Sequence, residues 1–183
     1  MLVKDPAGAA FILLVALAAC GRGSRQEGED VARQSAETPV EAFFRYGPVT
    51  LGSTRAALRS ALGAPDSVAA RAAANPHDPA VTDSVVALYY PGLRAEFYRA
   101  GYDGKELLSE LAIADDRYLR PESPLRIGMA EDEIRLVLGQ PSGVAGGVLS
   151  FPCTTCNAAG YDILELQLAN GQLRRITLHY WID

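Results

Sequence analysis

An ungapped internal repeat is the feature that most constrains how this chain can fold. Residues 48–68 align with residues 124–144 at an offset of 76 positions, with seven identities among twenty-one. The identical pairs are Pro48 and Pro124, Gly52 and Gly128, Arg59 and Arg135, Leu62 and Leu138, Gly63 and Gly139, Pro65 and Pro141, and Val68 and Val144. Self-similarity at a fixed offset is typical of a structural unit that the chain forms twice.

Each copy of the repeat predicts a short helix with its own end signals. In the first copy, Leu58 and Leu62 lie four residues apart and form a buried stripe. Gly63 then ends the helix, and Pro65 prevents it from continuing. The second copy repeats this pattern, and its acidic residues at 131–133 complement the helix dipole in the first turn. Capping is therefore the role that we assign to these carboxylates.

Apolar runs after each copy predict antiparallel strands. They cover Ser84 to Tyr90, Leu93 to Arg99 and Glu106 to Ala114, and then Gly147 to Phe151, Tyr161 to Ala169 and Gln172 to Trp181. Asn170-Gly171 is a hairpin signal between the last two. We therefore expect an α+β fold of two tandem units, each a helix followed by an antiparallel meander, at 41–116 and 117–183. Each sheet is expected to have one face covered by its helix and one open face.

The N-terminus predicts export and a lipid anchor. The apolar stretch at 7–19 is too short to span a bilayer and has the length of a signal-peptide core. The sequence Leu17-Ala18-Ala19-Cys20 resembles the bacterial lipobox, which implies a signal peptide at 1–19 and lipidation of Cys20. A buried core helix, or an ordinary signal peptide beside an incidental cysteine, remains an alternative.

The segment that follows Cys20 predicts a tether. Between Gly21 and Thr38 there is no aromatic residue and a single valine, so this stretch lacks the apolar surface that folding requires. We expect residues 20–40 to be flexible and to hold the folded part roughly 25 Å from the membrane on average.

Charge and hydropathy exclude two classes of function. Seventeen Lys and Arg stand against 22 Asp and Glu, which gives a net charge of -5 and no electrostatic footprint for nucleic acid. We expect no nucleic-acid partner. The only long apolar run is the one at the N-terminus, so the sequence is not that of a multi-pass transporter.

The repeated pattern resembles a known family. A helix that ends in Leu-Gly-x-Pro, preceded by a glycine turn and followed by a meander, looks like the BamE/SmpA-type lipoprotein domain of the outer-membrane assembly machinery. In tandem it is similar to β-lactamase inhibitor protein. The matching motifs lie at 52–68 and 128–144, where they carry helix ends and core positions. The resemblance implies the fold given above and favours a protein-binding role.

The Cys153-Thr-Thr-Cys156 motif has three interpretations. We expect a structural disulfide, because the two are the remaining thiols of an exported chain once Cys20 is lipidated. A zinc site needs two more ligands, and His77 and His179 are the only histidines. A redox-active pair needs surroundings that lower a thiol pKa, which the flanking sequence does not clearly supply. We expect no metal and no cofactor.

The sequence does not indicate a catalytic motif. The segment from Gly47 to Thr54 approaches a phosphate-binding loop but has Ser53 where the lysine belongs. The sequence also contains neither a G-x-S-x-G nor an H-E-x-x-H motif. We therefore expect no catalytic residues and no enzymatic activity.

The open sheet faces are the predicted binding surface. Alternation directs Tyr98, His179 and Trp181 outward, and the loop before Lys105 projects Tyr102 and Asp103. Aromatic and arginine side chains anchor many protein interfaces. A slip of one residue in the last strand gives the alternative in which Trp181 is buried and Tyr180 faces outward.

Together these features predict a non-enzymatic lipoprotein of the bacterial cell envelope, anchored at the outer membrane and facing the periplasm. It is expected to bind another envelope protein through its open sheet faces, as a scaffold or regulator. Two alternatives remain: a periplasmic thiol or metal protein that uses Cys153 and Cys156, and an enzyme inhibitor that acts like β-lactamase inhibitor protein.

The lipid anchor is testable through its cysteine. We expect Cys20→Ser to abolish lipidation and to release the chain from membranes, because the lipid on Cys20 is the expected anchor. Membrane fractionation and intact mass spectrometry measure both effects. An unchanged mass and an unchanged membrane fraction would contradict the lipoprotein interpretation.

Overall fold

The computed structural model describes residues 37–49, 51–52, 54–158 and 162–182. The predicted signal peptide, the lipidation site Cys20 and the tether up to residue 36 lie outside the described residues. Within the described ranges, no helix has both the length and the apolar character needed to cross a membrane.

The described elements are three short α-helices and eight strands. The helices are α1 (Pro39–Tyr46), α2 (Arg55–Leu62) and α3 (Glu131–Leu138), and a 3-10 turn covers Asp116–Tyr118. The strands are β1 (Ser67–Ala74), β2 (Thr82–Tyr90), β3 (Leu93–Arg99), β4 (Glu106–Ile113), β5 (Gly143–Ala145), β6 (Val148–Cys153), β7 (Asp162–Ala169) and β8 (Gln172–His179).

The helices predicted from the repeat are present, and both end at glycine. Helix α2 starts at its N-cap Thr54, whose hydroxyl accepts a hydrogen bond from the Ala57 amide at 3.2 Å. Helix α3 starts with the Glu133 carboxylate accepting from the Ala130 amide at 2.9 Å. Gly63 and Gly139 follow the two helices with φ angles of 82° and 84°, a region that residues with a Cβ avoid.

All eight strands belong to one antiparallel sheet with the order β1-β2-β3-β4-β8-β7-β6-β5. The two halves of the chain meet where β4 pairs with β8, and we call this pairing the seam. Across the seam, Leu111 pairs with Leu178 and Ile113 pairs with Ile176. These four side chains are buried, so the seam lies within the hydrophobic core.

The predicted α+β fold of two tandem helix-plus-meander units, each with its own sheet, is wrong. Strands account for 43% of the described residues and helices for 19%, and the strands form a single sheet. The physical reason is that, in two separate sheets, β4 and β8 would each lie at a free edge and would each be apolar on one face. Pairing them satisfies backbone donors and acceptors that two separate sheets would leave unpaired at their edges.

Three elements were not predicted at all. Strand β1 has the sequence SVAARAAA, and its alanines favour helix over strand when considered alone. Strand β5 begins with glycine and has only three residues, so it is too short to show an alternation of apolar and polar side chains. Helix α1 carries the start signal Thr38-Pro39, with the Thr38 hydroxyl accepting from the Glu41 amide at 3.1 Å.

One face of the sheet carries the core, and we call it the covered face because the helices pack on it. Phe43 of α1, Leu58 of α2 and Ile134 of α3 are each at most 1% exposed and belong to a single apolar cluster with the strands. Near the seam, the ring of Phe44 makes an edge-to-face contact with Tyr180 at a centroid distance of 5.8 Å. Helix α1 thereby links the end of β8 to the covered face.

The opposite side is the open face. In β3, Leu93, Ala95 and Phe97 are buried on the covered face. The intervening residues of this strand, Arg94, Glu96 and Tyr98, point to the open face and are partly exposed, as their alternation predicts. A bulge at Ser109 in β4 keeps Glu110 opposite Glu96 on the open face.

Leu178 is fully buried beside Leu111 at the seam, so we expect its truncation to lower the stability of the fold strongly. We expect Leu178→Ala to lower the free energy of unfolding by about 2–5 kcal/mol, because it leaves a cavity in the core. Leu136→Ala is the matched control, since Leu136 is 88% exposed on α3. Denaturant titration measures both, and the control is expected to change stability by less than about 0.5 kcal/mol. Equal effects of the two substitutions would contradict the described core.

Candidate functional site

A continuous row of acidic and basic side chains crosses the open face. It runs over five strands, from β1 through β3, β4 and β8 to β7, and we call it the ion-pair row. Its members in spatial order are Arg71, Glu96, Arg94, Glu110, His179 and Glu165. The row crosses the seam, so it exists only because the two halves share one sheet.

Acidic and basic side chains alternate along the row. Arg71 lies 3.4 Å from Glu96, and Arg94 pairs with both Glu96 and Glu110. Beyond the seam, His179 presents Nδ1 to Glu110 at 3.6 Å and Nε2 to Glu165 at 3.1 Å. Each carboxylate of the row therefore faces at least one basic side chain.

Arg94 is the most strongly held cation of the row. Partial burial lowers the pKa of Arg94, but the carboxylates of Glu110 and Glu96 outweigh it and raise the pKa above its usual value. Arg94 also interacts with the hydroxyl of Tyr89 on β2. Two ion pairs thus hold the guanidinium of Arg94 from both sides.

The row also covers apolar residues. Val85 and Ala87 point to the open face yet are 6% exposed. Val85 lies in register between Arg71 and Tyr98, and Ala87 lies next to Glu96. The stems of these long side chains shield the small apolar ones, which leaves charged groups at the surface.

A second cluster lies at the end of the open face, around the buried carboxylate of Asp83. Asp83 is 1% exposed and accepts hydrogen bonds from the Tyr98 hydroxyl, from the Gly101 amide at 2.8 Å and from Asn75 Nδ2 at 3.2 Å. Asn75 in turn accepts from the backbone amides of His77 and Asp78. Asp83 thereby joins the β1–β2 loop to the β3–β4 hairpin.

These hydrogen bonds shift two pKa values in opposite directions. The Tyr98 hydroxyl stabilises the charged carboxylate and lowers the pKa of Asp83, with help from Gly101 and Asn75. The same bond, together with burial, raises the pKa of Tyr98 to about 12. At neutral pH the phenol is therefore the donor and the carboxylate is the acceptor.

A cleft of 300 Å³ opens beside this cluster. Tyr98 and Tyr102 line it together with aliphatic side chains and Lys105. The complete lining is Ala74, Asn75, Pro76, His77, Tyr98, Ala100, Tyr102, Lys105, Leu107 and Ile182. Two of the predicted binding residues therefore share one surface depression.

The other three predicted binding residues lie elsewhere. His179 is part of the ion-pair row. Asp103 accepts a hydrogen bond from the Lys105 amide at 2.8 Å, so it shapes the hairpin turn. Trp181 follows β8 and is 51% exposed, while the burial of Tyr180 raises the pKa of that tyrosine to about 12. The alternative with Trp181 buried and Tyr180 outward is therefore not the arrangement observed.

Several residues of these clusters do not stand out in the sequence. Arg71 went unnoticed because β1 was not predicted, and Asp83 lay one residue before the predicted start of its strand. Tyr89 was inside a predicted strand, but no outward direction was assigned to it. The sequence offers one signal for the second cluster, because Asp83 directly precedes the run Ser84-Val85-Val86. A polar residue that is buried beside such a run needs hydrogen-bond partners.

The cysteine motif lies away from the open-face clusters, at the end of β6. The sulfur atoms of Cys153 and Cys156 are 1.96 Å apart, which is a bonding distance, and Cys153 is 1% exposed. Within the described ranges, no group of three or more His, Cys, Asp or Glu is placed to hold a metal ion.

No family model, curated protein or solved structure matches this chain.

The Asp83 cluster predicts a pH-dependent loss of stability. Because the pKa of Asp83 is lowered on folding, its stabilisation is present above the unfolded value of about 3.9 and is lost as the pH falls through the folded value. We expect Asp83→Asn to lower the Tm at pH 7, and the difference from wild type to shrink below pH 4.

Thermal unfolding at a series of pH values measures this effect. Asp103→Asn is the matched control, because Asp103 is exposed and asparagine keeps the side-chain oxygen that accepts from the Lys105 amide, so the Tm is expected to stay nearly unchanged. A difference between wild type and Asp83→Asn that is equally large at pH 3 and pH 7 would show that the charge of Asp83 is not what stabilises the fold.

Proposed function

We propose that this chain is a non-enzymatic lipoprotein of the bacterial cell envelope that binds another protein through the open face. The observation that supports this proposal most is the ion-pair row, which makes a single charged surface out of both halves of the chain. The partner is an envelope protein, and the chain acts on it as a scaffold or regulator.

The composition of the open face fits a protein interface. Arginine and tyrosine contribute most to binding energy at such interfaces, and Arg94, Arg175, Tyr89 and Tyr98 all lie on this face. Ion pairs hold Arg94, and a hydrogen bond to Asp83 holds Tyr98, in one conformation before binding. Less side-chain entropy is therefore lost when the complex forms.

The N-terminal sequence supplies the setting of this proposal. Helix α1 starts at Pro39, so the eighteen residues between Cys20 and that helix are available as a tether. A lipid on Cys20 would keep the open face within reach of neighbouring envelope proteins. We propose the outer membrane, on its periplasmic side, as the location.

Site-specific photo-crosslinking tests the binding surface. A photoreactive phenylalanine analogue is placed at Thr177 or Gln167 on the open face of the full-length chain. Ser60 on α2 and Leu136 on α3 are the controls, because both are exposed on the side of the helices. We expect a discrete crosslinked protein from the open-face positions and none from the controls.

Two results of this experiment would contradict the proposed binding surface. If the open-face positions give no crosslinked protein in intact cells, or if the helix positions give the same products, the open face is not the binding surface.

A further inference from the structure

The open face contains a groove that runs along the seam. Its floor is made of small side chains, Ala112 and Ala114. Tyr89 and Arg94 form one wall, and Arg175 and Thr177 form the other. The groove has a volume of 440 Å³, and we call it the seam groove.

The width of the seam groove follows from the strand order. Arg94 lies on β3, while Arg175 and Thr177 lie on β8 with β4 between them, so these two backbones are about 10 Å, or two strand spacings, apart. Tyr89 lies on β2, one strand beyond Arg94. An α-helix with its side chains is about 10–12 Å across, so it does not fit between side chains that project from both walls. A single extended segment or an individual side chain fits.

Charge along the groove is uneven. The glutamates of the open face each contact an arginine or a histidine, as described for the ion-pair row. Arg175, by contrast, makes no ion pair with any residue that the structure describes. Its cross-strand neighbour on β7 is the neutral Gln167. Among the residues that the structure describes, Arg175 is therefore the one cation lining the seam groove that has no acidic partner.

We propose that the seam groove binds an acidic, extended segment of the partner protein and that a carboxylate of this segment pairs with Arg175. This inference depends on the proposed function, because it identifies the partner chemistry that the open face recognises. The planar guanidinium binds a carboxylate through two parallel hydrogen bonds. Tyr89, which is 37% exposed, offers a ring against which the stem of the acidic side chain packs.

The surroundings of Arg175 favour a carboxylate over a polyanion. Arg94 is already paired with Glu96 and Glu110, so within the described part of the chain the groove offers the single unpaired charge of Arg175 and carries the carboxylate of Glu110. A nucleic-acid backbone or an anionic lipid surface is attracted by several clustered cations. A single acidic side chain matches this balance of charge.

The test starts from the crosslinked complex of the full-length chain. Mass spectrometry maps the partner segment that reacts with the photoreactive residue at Thr177 or Gln167. Affinity between the purified proteins is then measured for wild type, Arg175→Gln, Arg175→Lys and Arg59→Gln. Arg59 is the matched control, because it is an exposed arginine on α2 with the same change of charge.

We expect the mapped segment to contain Asp or Glu, and Arg175→Gln to weaken binding by roughly tenfold or more. Arg175→Lys is expected to retain more affinity than Arg175→Gln, and Arg59→Gln to remain within about twofold of wild type. The decisive variant is a charge exchange. Arg175→Glu is expected to abolish binding, and replacing the mapped partner carboxylate by arginine is expected to restore it.

The two proposals fail in different ways. Open-face crosslinks to a segment without Asp or Glu, or an affinity of Arg175→Gln within twofold of wild type, overturn the seam-groove proposal and leave the open face as the binding surface. An absence of open-face crosslinks overturns both proposals. Melting temperatures of all variants are measured alongside, and Arg175→Lys tests the groove if Arg175→Gln is unstable.

Discussion

The antiparallel pairing of β4 with β8 is the interaction on which the rest of the structure depends. It joins strands from the two halves of the chain, and it buries Leu111, Ile113, Ile176 and Leu178 on the covered face. Without this pairing, each half would expose a sheet edge with unpaired backbone groups and a strip of apolar side chains. The seam therefore turns two repeated sequence units into one sheet with one core.

The same pairing creates the surface that we propose as functional. Glu110 on β4 and His179 on β8 face each other across the seam, and they connect the arginines of the first half to Glu165 of the second. The seam groove runs beside them. The four residue pairs between β4 and β8 thus contribute to the core on one face of the sheet and to the candidate binding surface on the other. The stability of the fold and the shape of the site are therefore coupled.

The sequence predicts local structure better than it predicts assembly. Leu58 and Gly63, with their counterparts in the second copy, were sufficient to locate α2 and α3, and alternation gave the outward direction of Tyr98. The pairing of β4 with β8 joins residues far apart in sequence, and no local pattern encodes which free edges meet. For the same reason the ion-pair row could not be foreseen, although its individual charges were visible. Strand β1 was missed because alanine favours helix when tertiary contacts are ignored.

Amide hydrogen exchange at the seam tests the central claim most directly. If β4 and β8 belong to one cooperative sheet, the amides of β4 and β8 that bond across the seam open with the same free energy as protected amides of β3 and β7. This is the result that a single sheet predicts. Rapid exchange at the seam, with β2–β3 and β6–β7 still protected, would show two sheets that open independently, and the continuous open face would not exist.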